Sequence, residues 1–314
     1  MKLIIQIPCY NEEETLPETI NSIPKEIEGV DKVEILIIND GSTDNTTYAA
    51  KKLNADYIVE FPKNLGLARA FDVGLKNAVK YGADIIVNLD ADNQYCAEDI
   101  PKLIQPILDN RADITIGARP IDKIRHFSPL KKILQKLGSF VMKKISGADI
   151  ADAPSGFRAF TRSAAMKINI FDNYTYTMES IIQAKRKGLV IASVPIRVNE
   201  DDLRPSRLVK NNLNYICRSA KTMIRFFIIY HPFRFFASLA CIFFLIGLGI
   251  GLRYLYFFYL GDGAGHVQSL ILCGLLITIS FQTALLAIIS DLLAINRKLI
   301  EDVQIKVQIL QNGR

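Results

Sequence analysis

Residues 85–94 read Ile-Ile-Val-Asn-Leu-Asp-Ala-Asp-Asn-Gln, an apolar run that opens onto two carboxylates, Asp90 and Asp92, and then Gln94. The run Ile85–Leu89 has the composition of a short buried strand. Two carboxylates one residue apart at a strand end can both face one crevice once the chain leaves the pleat. Open α/β sheets bind ligands at the carboxyl ends of their strands. Carboxylate and amide oxygens are hard ligands of the kind Mg²⁺ or Mn²⁺ takes beside water and substrate phosphates. A polar turn capping a helix has the same composition. The position at the end of a central strand favours the metal site.

Similar runs flank this one. Leu3–Ile7, Val33–Ile38, Ile58–Phe61 and Ile114–Ile116 are short and rich in Ile and Val. Helix-like stretches fall between them at Glu13–Ile27, Asp44–Leu53, Leu67–Tyr81 and Glu98–Asn110. This βαβα order predicts an α/β fold, an open and mainly parallel sheet covered by helices. Further on, the pattern predicts a lysine-studded helix over Pro129–Ser146, a strand at Phe157–Thr161, a helix around Met178–Lys187 and a strand at Val190–Val198.

Polar clusters follow several of the strands. They are Pro8-Cys9-Tyr10-Asn11-Glu12-Glu13, Asn39-Asp40-Gly41-Ser42-Thr43-Asp44 and Gly117-Ala118-Arg119. Together with Asp90–Gln94 they offer a ring for stacking, carboxylates for base or ribose donors, a metal site and a cation. That inventory suits a nucleotide diphosphate. There is no GxGxxG after a strand and no GxxxxGK[ST], so hydride transfer and P-loop chemistry are disfavoured. Diphosphate binding then rests on metal and arginine.

The chain has 314 residues, enough for one sizeable α/β domain and something smaller. Its net charge of +6 is modest, and no nucleic-acid partner is expected. Cys9, Cys96, Cys217, Cys241 and Cys273 form no CxxC pair, which argues against a disulfide framework or zinc site. Met1–Pro8 runs straight into a strand pattern, so no secretory signal is expected there. His126, His231 and His266 are scattered and read as structural or interfacial rather than catalytic.

Beyond Phe235 the charges nearly vanish until Asn296. Phe235–Tyr259 and Val267–Ile295 are each long enough to cross a hydrocarbon core. Arg207–Phe227 carries an apolar stripe opposite a cationic one, the profile of a helix lying on an anionic bilayer surface. Basic residues flank the spans, with Arg218, Lys221, Arg225 and Arg234 before and Arg297 and Lys298 after. The loop between has none, which places both termini and the α/β domain in the cytoplasm. The expected divisions are 1–204 catalytic, 205–232 interfacial and 233–314 a membrane hairpin with a short tail.

Pro8-x-Tyr10-Asn11-Glu12, Asn39-Asp40-Gly41-Ser42-x-Asp44, Asn64-x-Gly66, Asp90-Ala-Asp92-x-Gln94 and Gly117-Ala118-Arg119 occur in this order. The set resembles glycosyltransferase family two, with the GT-A fold, over about the first two hundred residues. With its C-terminal hairpin the chain is similar to the polyprenyl-phosphate glycosyltransferase branch. The resemblance implies that Pro8, Tyr10, Glu12, Asp40 and Asp90 frame the nucleotide, and that Asp90, Asp92 and Gln94 hold Mg²⁺ or Mn²⁺. It implies acceptor-side roles for Asp152 to Arg158, and for Arg204, Ser206 and Arg207. Arg119 and Arg158 join Arg204 and Arg207 as phosphate collectors. Asp152 reads two ways, as a base or as an orienter of Arg158 or the acceptor. Asn39 departs from the pattern, since many relatives carry aspartate there.

The implied reaction is inverting transfer of a sugar, with UDP-glucose as first donor, to a polyprenyl phosphate in the bilayer. Dolichyl-phosphate mannose synthesis from GDP-mannose is the alternative. A homo-oligomer, in the limit a tetramer, is implied too. A polysaccharide synthase of the QxxRW type is disfavoured because the chain has no tryptophan. A non-catalytic scaffold or sugar-lipid binding subunit would not need Asp90, Asp92 and Gln94.

Overall fold

The computed structural model describes residues 1–121, 138–140, 143, 150–170, 176–199, 225, 228 and 231–312. Most of the expected Pro129–Ser146 helix lies outside these residues. So do nearly all of the Arg207–Phe227 segment and the three acceptor residues Arg204, Ser206 and Arg207. The chain divides into two compact units, Met1–Asn214 and Tyr215–Arg314.

The first unit is built on a seven-stranded sheet in the order β3-β2-β1-β4-β6-β5-β7. Its strands are β1 (Lys2–Cys9), β2 (Lys32–Asn39), β3 (Tyr57–Glu60), β4 (Ile85–Asn88), β5 (Ile114–Ala118), β6 (Arg158–Thr161) and β7 (Ile191–Pro195). The helices between them are α1 (Leu16–Asn21), α2 (Thr46–Lys52), α3 (Leu67–Lys80), α4 (Ile100–Leu108), α5 (Arg162–Lys167) and α6 (Tyr176–Arg186). β1 runs parallel to β2 and β4, β2 parallel to β3, and β5 parallel to β7. The exception is β6, antiparallel to both β4 and β5. Arg158 at its start pairs with Asn88 at the end of β4. The segment entering β6 therefore lies at the same edge as the ends of the parallel strands.

Alternation along each strand divides the core. Leu3, Ile5, Ile7, Ile85 and Val87 belong to a buried cluster with Leu16 and Ile20 of α1 and Leu103, Ile104 and Ile107 of α4. The alternate positions of β1 and β4 are Ile4, Gln6, Ile86 and Asn88, all fully buried.

Several elements are shorter than the pattern predicts. The helix expected over Glu13–Ile27 spans only Leu16–Asn21. Its start is delayed because the Glu12 and Glu13 amides are held by Thr46 and Asp44. Pro24 disfavours helical backbone at Ile23, just past its end. The helix expected over Glu98–Asn110 opens as a 3-10 turn, Ala97–Asp99, before Ile100–Leu108. α5 was not anticipated, and Thr161 caps it by accepting from the Ala164 amide.

The second unit holds α7 (Pro232–Tyr259) and α8 (Val267–Asn312), joined through a 3-10 turn. Two stretches, Pro232–Tyr259 and Gly263–Arg297, are long and apolar enough to cross a membrane. Within the unit, Gly247 packs against Leu276 and Ile277, Gly251 against Cys273, and Ser280 donates to the Ala240 carbonyl. The residues after Ile295, expected as a short tail, continue the helix to Asn312. No proline or glycine interrupts residues 296–312, so nothing local stops the helix there.

Candidate active site

The loops leaving β1 and β2 are stitched to one another. The Asn11 amide donates to Ser42 Oγ at 2.9 Å, and the Thr43 amide donates back to Asn11 Oδ1 at 2.8 Å. Glu13 accepts from the Asn45 amide, and Asp44 accepts from the Glu13 and Thr46 amides. Asn11 holds φ at 55°, a left-handed turn that asparagine tolerates. Asn39, the departure noted above, uses both ends of its amide. Oδ1 accepts from the Ser42 amide and Nδ2 donates to Thr47 Oγ1. An aspartate could accept from both groups, so the turn survives the exchange.

Tyr10 and Glu12 sit on the first of these loops, Tyr10 being 41% exposed. Asp40 is buried and accepts from the Leu65 amide at 2.6 Å and the Gly66 amide at 2.9 Å. It thereby clamps the loop containing Asn64 and Gly66 to the end of β2. Gly41 fits there because φ is +67° and an added Cβ would lie 2.3 Å from the Lys63 carbonyl carbon. Pro8 is buried within β1, so it shapes the wall of the crevice rather than offering an exposed face.

Asp90 and Asp92 follow β4, the first half-buried and the second exposed. Burial raises the pKa of both carboxyls, and the neighbouring Asp92 charge raises Asp90 further. The effect is firmer for Asp90, since Asp92 keeps contact with solvent. Arg119 is close enough to offset part of both shifts. Asn93, at φ 53°, turns the chain, and the Gln94 amide then donates to Asp92 Oδ1 at 3.2 Å. Asn199 holds the turn from outside, its amide donating to the Gln94 carbonyl and its side chain to the Asn93 carbonyl.

Two crowded carboxyls whose charged forms are disfavoured suit a divalent cation, which supplies the missing positive charge. Among the described residues no third His, Cys, Asp or Glu joins them. That matches the usual Mg²⁺ or Mn²⁺ arrangement of one or two carboxylates completed by water and substrate phosphate.

Arg119 follows β5 and grips Asp152 with two bonds, Nε to Oδ2 at 2.6 Å and Nη2 to Oδ1 at 3.1 Å. Both side chains are almost wholly buried, at 6% and 1% exposure. Asp152 is thus turned toward Arg119, not toward Arg158. The expectation that Arg158 collects phosphate needs correcting. Its guanidinium is fully buried and donates to the Ala153, Ser155 and Thr177 carbonyls and to Ser180 Oγ. Burial pulls its pKa down to about 10. With its donors turned inward it ties the entry of β6 to α6 and reaches no open surface.

Pattern reading missed a second group. Asn88, Tyr95, Gly156 and Tyr176 surround the Asp90 carboxylate. Tyr95 Oη accepts from the Gly156 amide at 2.9 Å, and burial pushes the Tyr95 hydroxyl up to about 12, so it stays neutral. A polar residue in an otherwise apolar run was the available signal for Asn88. For Gly156 there was none beyond its place in the 152–158 segment. A Cβ there would lie 2.6 Å from Asp90 Oδ2 and 2.7 Å from Tyr176 Oη. Gly156→Ala is accordingly expected to push Asp90 aside, costing about 1–3 kcal/mol of stability. Activity should fall about tenfold or more, since such a misplacement can cost a hundredfold. Thermal melting and initial rates check the two parts.

Comparison with known proteins fits this architecture. The family model described as glycosyl transferase family 2 matches residues 4–168. A UDP-N-acetylglucosamine–dolichyl-phosphate N-acetylglucosaminyltransferase of Methanococcus voltae is 33% identical over 213 residues, covering 61% of this chain and 83% of that one. The polyprenol monophosphomannose synthase of Mycolicibacterium smegmatis is 27% identical, over 68% of this chain and 83% of its own length. Among solved structures, glucosyl-3-phosphoglycerate synthase from Mycobacterium tuberculosis, in complex with Mn²⁺ and UDP, superposes with a TM-score of 0.54. The two are 21% identical, over 72% of this chain and 78% of the other. That likeness establishes a GT-A sheet. With the family model matching more than half of its length, the chain belongs to glycosyl transferase family 2.

Proposed function

We propose that the chain transfers a sugar from a nucleotide diphosphate sugar to a polyprenyl phosphate in the membrane, inverting the anomeric centre. The observation that carries this reading is the crowded Asp90–Asp92 pair, at the strand edge beside the buried Arg119–Asp152 pair. The relatives support the acceptor class, since their names specify dolichyl, polyprenol or undecaprenyl phosphate. The apolar stretches Pro232–Tyr259 and Gly263–Arg297 would hold the enzyme where such a lipid resides.

In the reaction an oxygen of the lipid phosphate attacks the anomeric carbon, and the bond from that carbon to the diphosphate breaks. The nucleoside diphosphate leaves with the electron pair. A phosphate monoester, with a second pKa near 6, is largely ionised at neutral pH, so no protein base is needed. Asp90, Asp92 and Gln94 would hold Mg²⁺ or Mn²⁺, which supplies charge neutralisation on the leaving diphosphate. Tyr10 and Glu12 would bound the nucleotide, with Pro8 and Asp40 fixing the loops that carry them. Asp152 would act by holding Arg119 in place rather than as a base, the reading its ion pair with Arg119 supports. Arg204, Ser206 and Arg207 keep their proposed place on the acceptor phosphate.

UDP-glucose is the donor we favour. GDP-mannose is the competing donor, because several relatives are named as mannose transferases. The proposed topology has two spans with the catalytic region and both termini cytoplasmic, divided near residues 204 and 232, in a homo-oligomer. Labelled nucleotide sugars assayed against undecaprenyl and dolichyl phosphate test the reading. Lipid-dependent release of nucleoside diphosphate, lost in excess EDTA, is expected. Release without lipid, or none with any donor, overturns it.

A further inference from the structure

Three buried polar side chains stand in one row across the sheet. Gln6 of β1 is the register partner of Asn88 of β4, and Asn88 is the partner of Arg158 of β6. All three are fully buried, in strands made mainly of apolar residues. Burying an amide is unfavourable unless its donors and acceptors are used. Asn88 uses them all. Oδ1 accepts from Gln6 Nε2 at 2.9 Å, while Nδ2 donates to the Gly156 carbonyl at 2.9 Å and to Tyr176 Oη at 3.1 Å. Nδ2 also lies 3.4 Å from Asp90 Oδ1.

The orientation of this amide is determined by its partners. The Gly156 carbonyl can only accept, so it must face the Asn88 NH₂. That leaves Oδ1 toward Gln6, which must donate. The chain from Gln6 to Asp90 thus has a single consistent polarity, and the end facing Asp90 is a donor. The surroundings are equally constrained. Tyr176 stacks on Phe71 with centroids 3.9 Å apart, and Gly156 leaves no room for a methyl group beside Asp90 Oδ2. β4 ends at Asn88, and the chain then brings the Asp90 carboxylate back within 3.4 Å of the Asn88 amide nitrogen.

We propose that Asn88 is the positioning residue for the Asp90 carboxylate. With Gly156 and the Tyr176 hydroxyl it fixes the rotamer that Asp90 must hold to bind a divalent cation. The assignment rests on the metal reading given above. Asn88 itself touches neither cation nor sugar, and acts only by aiming Asp90.

The test is Mn²⁺ binding to the full-length protein in detergent, followed by electron paramagnetic resonance of free Mn²⁺ with and without UDP, beside thermal melting. Asp92→Asn reports on the metal reading itself and should lose Mn²⁺. Asn88→Leu keeps the branching of the side chain without its hydrogen bonds and should weaken Mn²⁺ at least tenfold. Tyr176→Phe removes only the hydroxyl, keeps the stack on Phe71, and should weaken it several-fold while the protein still folds and melts cooperatively. Unchanged Mn²⁺ affinity in Asn88→Leu overturns the proposal while leaving the metal reading intact. Should Asn88→Leu fail to fold, Tyr176→Phe decides, and wild-type affinity there overturns it. A wild-type protein that binds no Mn²⁺, or an Asp92→Asn variant that binds it normally, removes the metal reading and this proposal with it.

Discussion

Replacing Asp92 by alanine is expected to reduce sugar transfer on the order of a thousandfold, equivalent to about 4 kcal/mol of transition-state stabilisation. The fold should scarcely notice. Asp92 is exposed, and exposed substitutions usually change stability by about 0.5 kcal/mol or less. Asp90→Asn should lose transfer as well but move stability the other way. Burial and the Asp92 charge both disfavour ionised Asp90 and push its pKa up to about 7, so above that pH the metal-free protein carries a charge that folding opposes. A neutral amide of the same shape removes that opposition. Metal-free Asp90→Asn should then melt a few degrees above wild type, about 2–4 °C per kcal/mol for a domain near this size. Labelled-sugar transfer in membranes and melting with EDTA measure the two effects. Transfer that survives in Asp92→Ala, or a destabilised Asp90→Asn, would refute the reading of the site.

These opposite signs show why some of the site was legible in sequence and some was not. Asp90 and Asp92 stand out because they interrupt an apolar run at a strand end, and that placement is itself a local pattern. The clusters after β1, β2 and β5 were legible for the same reason. Direction of side chains across the sheet is not local. Arg158 and Arg119 are alike in sequence, each a cation at a strand end, yet one is consumed by carbonyls and the Ser180 hydroxyl and the other grips Asp152. What separates them is the antiparallel insertion of β6 between β4 and β5, which no periodicity announces. The same insertion brings Gly156 against Asp90 and its carbonyl onto the Asn88 amide. The length of α8 was hidden by a different cause. Hydropathy marks where a helix stops being apolar, and the backbone ends a helix only where a breaker or cap requires it.

The second large effect concerns Asp152, where the alternatives of base and orienter predict different patterns. The carboxylate is 1% exposed and bound at both oxygens by Arg119. Removing one member of such a buried pair leaves an uncompensated charge, typically at a cost of about 3–5 kcal/mol. Asp152→Asn should therefore lower the melting temperature markedly and reduce transfer together. Arg119→Met should do the same from the other side. In the double variant both charges are gone, so much of the stability should return, as it often does when an ion pair is replaced whole. Transfer should not return, because the cation that offsets Asp90 and Asp92 is absent. If Asp152 acts by holding Arg119, the two single variants lose transfer to a similar extent and the double variant is no worse than either. A residue acting separately as a base would give losses that multiply. The cycle of melting temperatures and initial rates distinguishes the two, and near-normal transfer in a folded Asp152→Asn would exclude both.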